Sequence, residues 1–441
     1  MRIFHITALF VLTAVCVCGQ AAEKRKLVYV TVLFRHGDRT PVFVYPTDPY
    51  KEEDWLQGFG QLSQEGMRQQ YELGQFLRKR YAGYLSKFYN RNEVLVLSTD
   101  YDRTLMSAQA SLAGLYPPSG WQVFMKGLRW QPIPVHALPK SQEKLLLYPL
   151  KDCPRYHELM NETHHTEEFL SFTATHKNFI DLVRNKAGFN TTDLNYVWGV
   201  QDTLLCQSLH NMSLPAWVTP DVMEKLNTVK DFALEILFGV HKRQEKSRLQ
   251  TGILLGEIVK NLSKMAVPEP SQKLKMMMLS SHDTTLAAIQ ISMNVFNGKQ
   301  PPYSSCQIFE LYREANGSYS VSIFYRNDST VEPYPQQLPG CSVNCPLDDF
   351  VKLTKPFISD DRDKECQAAS KDTDGHEPLT HKPDCPPSSV NPDHQSCRVI
   401  CLQKDQIRSQ RKRDLRNQEV RKTKSVNSFL RDLQPLHLGM Q

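Results

Sequence analysis

The sequence predicts an α/β fold: a doubly wound, mainly parallel sheet with helices on both faces, plus an inserted, mostly helical lobe. Three observations carry this. Short apolar runs occur at 27–34 (LVYVTVLF), within 90–98 (EVLVLS) and at 273–281 (KLKMMMLSS), and such runs read as buried strands. Each is followed by a short polar loop and a helix-like pattern, at 62–81, 103–115 and 284–291. Strand, loop and helix repeating in that order is the pattern of a parallel sheet. The section at 161–260 breaks the alternation, being polar and helix-leaning.

In chain order, Arg2 precedes fifteen mostly apolar residues (3–17) and then small residues around Gly19 and Ala21. That order reads as a secretory leader over 1–21. The core is expected over 25–160 and 261–366, interrupted by the lobe at 161–260. In the third strand the methionines at 276–278 fill the core rather than forming a ligand surface. Residues 306–325 read as a returning hairpin around Asn316-Gly317. From 367 to 441 the chain turns polar and basic, poor in large apolar residues, and is expected to be disordered.

Composition narrows the function classes. The net charge of +6 is matched by the surplus of Lys and Arg between Lys404 and Asp432 alone, so the body is neutral. A neutral body does not suggest nucleic-acid binding, and no stretch beyond the leader supplies the ~18–20 apolar residues of a transmembrane anchor. Six Asn-X-Ser/Thr sequons, at Asn161, Asn190, Asn211, Asn261, Asn316 and Asn327, suit a glycosylated chain of the secretory pathway. Of eleven cysteines, Cys16 and Cys18 fall in the leader; nine remain, so at least one is unpaired or bonded between chains. Cys341 and Cys345 are spaced to close a short disulfide loop, with half a zinc site as the less favoured alternative.

The chemistry gathers at three strand ends. The first opens into Arg35-His36-Gly37-Asp38-Arg39-Thr40-Pro41, the second into Asp102-Arg103, the third into Ser281-His282-Asp283. Ligands of open α/β sheets bind beyond the carboxyl ends of the strands. The fold therefore predicts one crevice holding Arg35, Arg39, Arg103, His36, His282 and Asp283. Three guanidinium forks suit phosphate oxygens and would repel one another without an anion. Arg103 at a helix start adds the pull of that terminus. His36, in the field of two arginines, is expected to stay unprotonated and attack phosphorus, giving a phosphohistidine. Arginines and a protonated His282 would hold the phosphoryl oxygens. Asp283 would protonate the leaving alcohol and then activate water, which favours acidic pH. Gly37 permits either close backbone approach or positive φ. No Gly-x-Ser-x-Gly, P-loop or HExxH motif is present. A narrower phosphatase for an inositol phosphate or phosphosugar, and a glycosylated binding protein without turnover, are the alternatives.

RHGDRTP, Asp102-Arg103 and Ser-His-Asp-Thr-Thr at 281–285 resemble the histidine acid phosphatase family, with its phosphoglycerate-mutase-like fold. The likeness runs from about residue 27 to 370 and favours the vertebrate lysosomal and prostatic group, through GLYPPSG (114–120), EKSRLQ (245–250), PPYSSC (301–306), EPYPQQLPGCSVNCPL (332–347) and KECQAAS (364–370). It implies a phosphatase for phosphate monoesters, without metal or cofactor. It assigns His36 as nucleophile, Arg35, Arg39, Arg103 and His282 as phosphate binders, and Asp283 as general acid. It further implies disulfides Cys153–Cys366, Cys206–Cys306 and Cys341–Cys345, leaving Cys385, Cys397 and Cys401 over. A homodimer with Trp130 and His136 near its interface is implied as well, with a lysosomal or secreted destination. The polar tail departs from the lysosomal pattern, in which a membrane-spanning helix follows.

Overall fold

A computed structural model describes residues 25–367. The expected leader lies outside the described residues, as do Cys385, Cys397, Cys401 and all of the tail beyond Gln367.

The first apolar run forms β1 (Lys26–Arg35), buried from Tyr29 onward. Side chains of a strand alternate between faces, and here both faces are covered. Tyr29 and Leu33 enter one apolar cluster, while Val30, Val32 and Phe34 enter another. The second cluster is closed by α1 (Gln64–Arg80) and α2 (Asp102–Leu115), through Leu73, Leu77, Ala108 and Leu112.

Between those helices runs β2 (Val94–Ser98), followed by the two-residue β3 (His136–Ala137). Five helices come next: α3 (Pro154–Thr163), α4 (Glu167–Thr175), α5 (Lys177–Ala187), α6 (Leu194–Leu209) and α7 (Pro220–Phe238). Helices α5 to α7 share an apolar cluster that includes Ile180, Val200, Leu204 and Leu226. Tyr45, from the loop after β1, is buried in the same cluster.

The chain then returns through α8 (Arg243–Gln250) and α9 (Gly252–Met265) to β4 (Met276–Ser281) and α10 (Asp283–Ser292). Leu255 and Ile258 of α9 and Leu286 and Ile289 of α10 close the first cluster, so the sheet carries helices on both faces.

The sheet is completed by β5 (Cys306–Arg313), β6 (Tyr319–Arg326), β7 (Tyr334–Gln336) and β8 (Asn344–Pro346). Its order is β3-β2-β4-β1-β5-β6-β7, with β8 also on β6. Within the parallel half, β2, β4 and β1 are the strands read from strand–loop–helix repeats, whereas the two-residue β3 at its edge is not among them. The other half is antiparallel, so the sheet is mixed. Gly317, at φ 85°, supplies the left-handed turn of the β5–β6 hairpin.

Disulfides join Cys153 to Cys366 and Cys341 to Cys345. The expected Cys206–Cys306 bond is corrected: both thiols are free and buried. Cys306 opens β5 inside the cluster under α1 and α2. Cys206, on α6, has its Sγ 3.5 Å from Arg39 Nη1 and 3.7 Å from the Tyr303 hydroxyl. The two sulfurs thus sit in different surroundings. Burial pushes each thiol up to about 12, so both remain protonated.

Candidate active site

Strand register brings the site together. Arg35 of β1 pairs with Ser281 of β4, and Ser98 of β2 pairs with Ser280. The next residues, His36, His282 and Thr99, therefore leave the sheet side by side. The His36 and His282 ring centroids are 5.7 Å apart. A hydrogen bond from the His36 amide to Ser281 O, at 3.0 Å, continues the pairing one step beyond the strand.

Gly37 is required for close approach, the first of the two expected reasons. A Cβ there would stand 2.3 Å from Gly66 O, at the start of α1. The Gly37 amide donates to Ser107 Oγ of α2 at 3.1 Å. Asp38 turns away from the cluster. Its Oδ2 accepts from Ser63, the N-cap of α1, and from His210 Nε2 at 2.9 Å. Asp38 therefore pins the loop to α1 and to the end of α6.

His36 Nδ1 donates to Gly37 O at 2.8 Å, which leaves Nε2 with its lone pair. Burial, followed by Arg103, Arg35, Arg39 and His282, holds this imidazole well below its usual pKa. Its neutral form is thereby favoured. His282 Nε2 donates to Thr99 Oγ1 at 2.9 Å, and its Nδ1 accepts from Arg103 Nη2 at 3.4 Å. Burial and then Arg103 push it down to about 3. In the free protein His282 is neutral, unlike the protonated form expected from sequence.

Two carboxylates meet the arginine charges. Arg35 Nη2 lies 3.0 Å from Asp283 Oδ2, with the two side chains 3% and 13% exposed. Arg35 also donates to Pro301 O at 2.6 Å, and its guanidinium lies 4.1 Å from the Tyr303 ring centroid. Arg39 makes a two-pronged pair with Asp202 of α6, at 3.1 and 3.0 Å. Burial works against its charge, but Asp202 outweighs that and raises its pKa. Arg103 forms no ion pair among the described residues; burial and then Arg39 push it down to about 10. Burial likewise opposes ionisation of Asp283, yet Arg35, Arg39 and His282 outweigh it and hold that carboxyl below its ordinary value.

All six predicted residues thus converge. Sequence reasoning missed Asp202, Thr99, Tyr303 and Gln300, whose Nε2 donates to Asp283 Oδ2 at 2.6 Å. Tyr303 lies within the recognised PPYSSC run and Gln300 adjoins it. Asp202 and Thr99 carry no local signal. The expectation that the arginines repel one another unless an anion binds is modified, because Asp202 and Asp283 already neutralise two of them. Among the described residues, no group of three His, Cys, Asp or Glu side chains is arranged to hold a metal.

A family model described as the histidine phosphatase superfamily (branch 2) matches residues 26–326. Lysosomal acid phosphatase of Rattus norvegicus is 52% identical over 352 residues, covering 80% of this chain and 83% of the relative. Prostatic acid phosphatase of Mus musculus is 47% identical over 354 residues, covering 80% and 92%. Among solved structures, Hafnia alvei phytase in complex with myo-inositol hexakis sulphate aligns with a TM-score of 0.60 at 17% identity, covering 79% of this chain and 100% of that one. At that identity the likeness speaks to the fold alone.

Proposed function

The chain belongs to the histidine phosphatase superfamily, branch 2, and we propose that it hydrolyses phosphate monoesters at acidic pH through a covalent phosphohistidine. One observation carries the reading: a neutral imidazole with Nε2 free stands in the field of three guanidiniums, with a carboxyl held by one of them. The phosphoryl group binds Arg35, Arg39, Arg103 and His282, which takes up a proton at Nδ1 as the dianion arrives, and their charges and N–H groups offset the negative charge of the transition state. His36 Nε2 attacks phosphorus as the ester P–O bond breaks, and Asp283 gives its proton to the departing oxygen. Water then attacks phosphorus, Asp283 takes a proton from it, and the P–N bond breaks to return His36.

Asp283 is ionised in the free protein, so binding must load it. A phosphoryl dianion draws Arg35 away and adds negative charge nearby; both changes raise the carboxyl's pKa. Arginines supply the charge, so no metal or cofactor is required and a chelator should leave turnover unchanged. The decisive experiment is trapping of radiolabel from a phosphomonoester on His36 after alkaline quench. Unimpaired turnover by His36→Ala would overturn the reading.

The relatives' names point to a lysosomal or secreted protein, and we assign this chain to the lumen of the secretory pathway. Asn161, Asn190, Asn211 and Asn316 are exposed, as glycosylation requires, whereas Asn261 and Asn327 are half-buried. No helix among the described residues is long and apolar enough to cross a membrane. A homodimer fits the open edge of the sheet. There β3 pairs with β2 alone and carries exposed His136, while Trp121, Phe124, Met125, Trp130 and Leu138 expose apolar surface. Such a patch marks an interaction surface. Sedimentation showing a monomer at micromolar concentration would remove that assignment.

A further inference from the structure

We propose that Gln300 is the positioning residue that keeps the Asp283 carboxyl aligned for proton transfer in both half-reactions, and that Asp231 of the helical lobe fixes Gln300 for this task. The inference rests on the phosphatase reading above and deepens it.

The two oxygens of Asp283 have different commitments. Oδ1 accepts from the backbone N–H of Thr284 at 2.7 Å, in the first turn of α10. Oδ2 faces Arg35 Nη2 at 3.0 Å and Gln300 Nε2 at 2.6 Å. Oδ2 is thus the oxygen that carries the transferable proton. Once a phosphoryl group has drawn Arg35 away, Gln300 alone still holds it.

Gln300 is itself anchored. Its backbone N–H donates to Asp231 Oδ1 at 3.0 Å, and Asp231 lies on α7. Lys230 and Lys299 reach the same carboxylate at 3.4 and 3.1 Å. These residues, with Arg35 and Tyr303, line a cavity of about 580 Å³.

An amide suits a carboxyl that must change state. With its NH₂ forward it donates to the carboxylate; turned over, its oxygen accepts from the carboxylic acid's O–H. In the first half-reaction the Oδ2 proton passes to the ester oxygen as the P–O bond breaks, and the amide returns to donating. In the second, water loses a proton to Oδ2 as its oxygen bonds to phosphorus and the P–N bond breaks. The charged and titratable groups facing Asp283 are Arg35, Arg39, Arg103, His282 and, from α7, Lys230. Gln300 is the neutral group among its partners that can reverse its hydrogen bond.

The test uses the full-length protein and an alkyl phosphate, with kcat and KM measured across pH 3.5–8. Gln300→Leu is expected to lower kcat by about tenfold with KM within about twofold. The alkaline limb should also move up by about one pH unit, because a carboxylate that loses a donor is a weaker acid. Gln300→Glu should recover most of the rate near pH 4, where its own acid O–H replaces the amide donor, and lose it as the second carboxyl ionises. An unchanged kcat in Gln300→Leu, a loss with the pH limb unmoved, or a Gln300→Glu no better than Gln300→Leu in acid would each overturn the proposal. His36→Ala measured alongside separates the cases: if it turns over substrate normally, the phosphatase reading itself fails.

Discussion

Replacing Asp283 with Asn tests the proton-transfer role and the charge pairing together. The amide keeps the shape and the Oδ1 bond to Thr284 but cannot ionise or deliver a proton. General acid catalysis contributes roughly 10²–10⁴-fold. That is the expected loss for alkyl phosphates, whose leaving oxygen needs the proton. An aryl phosphate such as the nitrophenyl ester, whose phenolate leaves unaided, should lose far less in the first step. Stability should change as well. Arg35 is 3% exposed and loses its only carboxylate partner among the described residues. Breaking such a pair costs about 3–5 kcal/mol when no other partner remains. Arg35 keeps Pro301 O and Tyr303, so about 2–3 kcal/mol is a fair figure. At about 0.7 kcal/mol per K for a folded part of this size, Tm falls by about 3–4 °C. Inorganic phosphate should restore more of that loss in the variant than it adds to the wild type, because Arg35 no longer has to leave Asp283. The assays are a leaving-group series and thermal unfolding with and without phosphate. Equal losses of kcat/KM, which reports the step that expels the alcohol, across all leaving groups would refute the acid role, and equal phosphate shifts would refute the pairing.

Further outcomes follow from the same geometry. Asp283 has a depressed carboxyl pKa, so its contribution is present above its unfolded value of about 3.9 and is lost as pH falls through the folded value. Acid titration of ligand-free stability should therefore show a smaller loss below about pH 4 in Asp283→Asn than in wild type. Thr99→Val removes the acceptor that orients His282; a loss of about tenfold in kcat/KM, near 1.4 kcal/mol, is expected, with Tm shifted little. Because His36 is held well below its ordinary value, a kcat/KM profile corrected for the substrate's own second phosphate ionisation at about pH 6 should show no further protonation step near the imidazole value of about 6.5. Alkylation of the unfolded, unreduced protein followed by peptide mapping should label Cys206 and Cys306 and spare Cys153, Cys366, Cys341 and Cys345. A linked 206–306 peptide would refute the free-thiol assignment.

The parallel half of the sheet was legible because each buried strand announces itself twice, by an apolar run and by the polar loop and helix after it. Leu33, Val96 and Leu279 are all buried as that reading requires. The outer strands are different: β7 and β8 have three residues each, too few for a periodicity to show. The convergence of His36, Arg103 and His282 followed from strand ends alone, without knowledge of register. What register adds is Thr99, placed beside His282 only because Ser98 pairs with Ser280. Asp202 was illegible for a related reason. It lies 163 residues from Arg39, in a helix whose pattern reports burial but not what the buried charge meets. Resemblance by position suggested a bond between Cys206 and Cys306, whereas packing sets one sulfur against Arg39 and the other in the apolar cluster beneath α1 and α2.

The pairing of charges turns binding into a chemical signal. Without ligand, Arg39 is tied to Asp202 and Arg35 to Asp283, while Arg103 carries the guanidinium with no carboxylate among the described residues. On the proposed mechanism an arriving dianion therefore meets Arg103 first, at the N-terminal turn of α2. Arg39 is buried with Asp202 at 7% and 9% exposure in a two-pronged pair, so it has least freedom to move. Arg35 is held to Asp283 through one nitrogen and belongs to the strand end adjoining His36, so on the proposed mechanism it is the fork that swings. In the proposed mechanism its transfer from Asp283 to the phosphoryl group would strengthen the grip on the substrate and make Asp283 a weaker acid, ready to hold a proton in mildly acidic solution. On this account Asp202→Asn should leave the leaving-group dependence intact while loosening Arg39 and weakening inorganic phosphate inhibition by about tenfold, near 1.4 kcal/mol. Asp283→Asn should instead tighten that inhibition. Inhibition constants for phosphate moving in the same direction in the two variants would show that the carboxylates do not divide the work in this way.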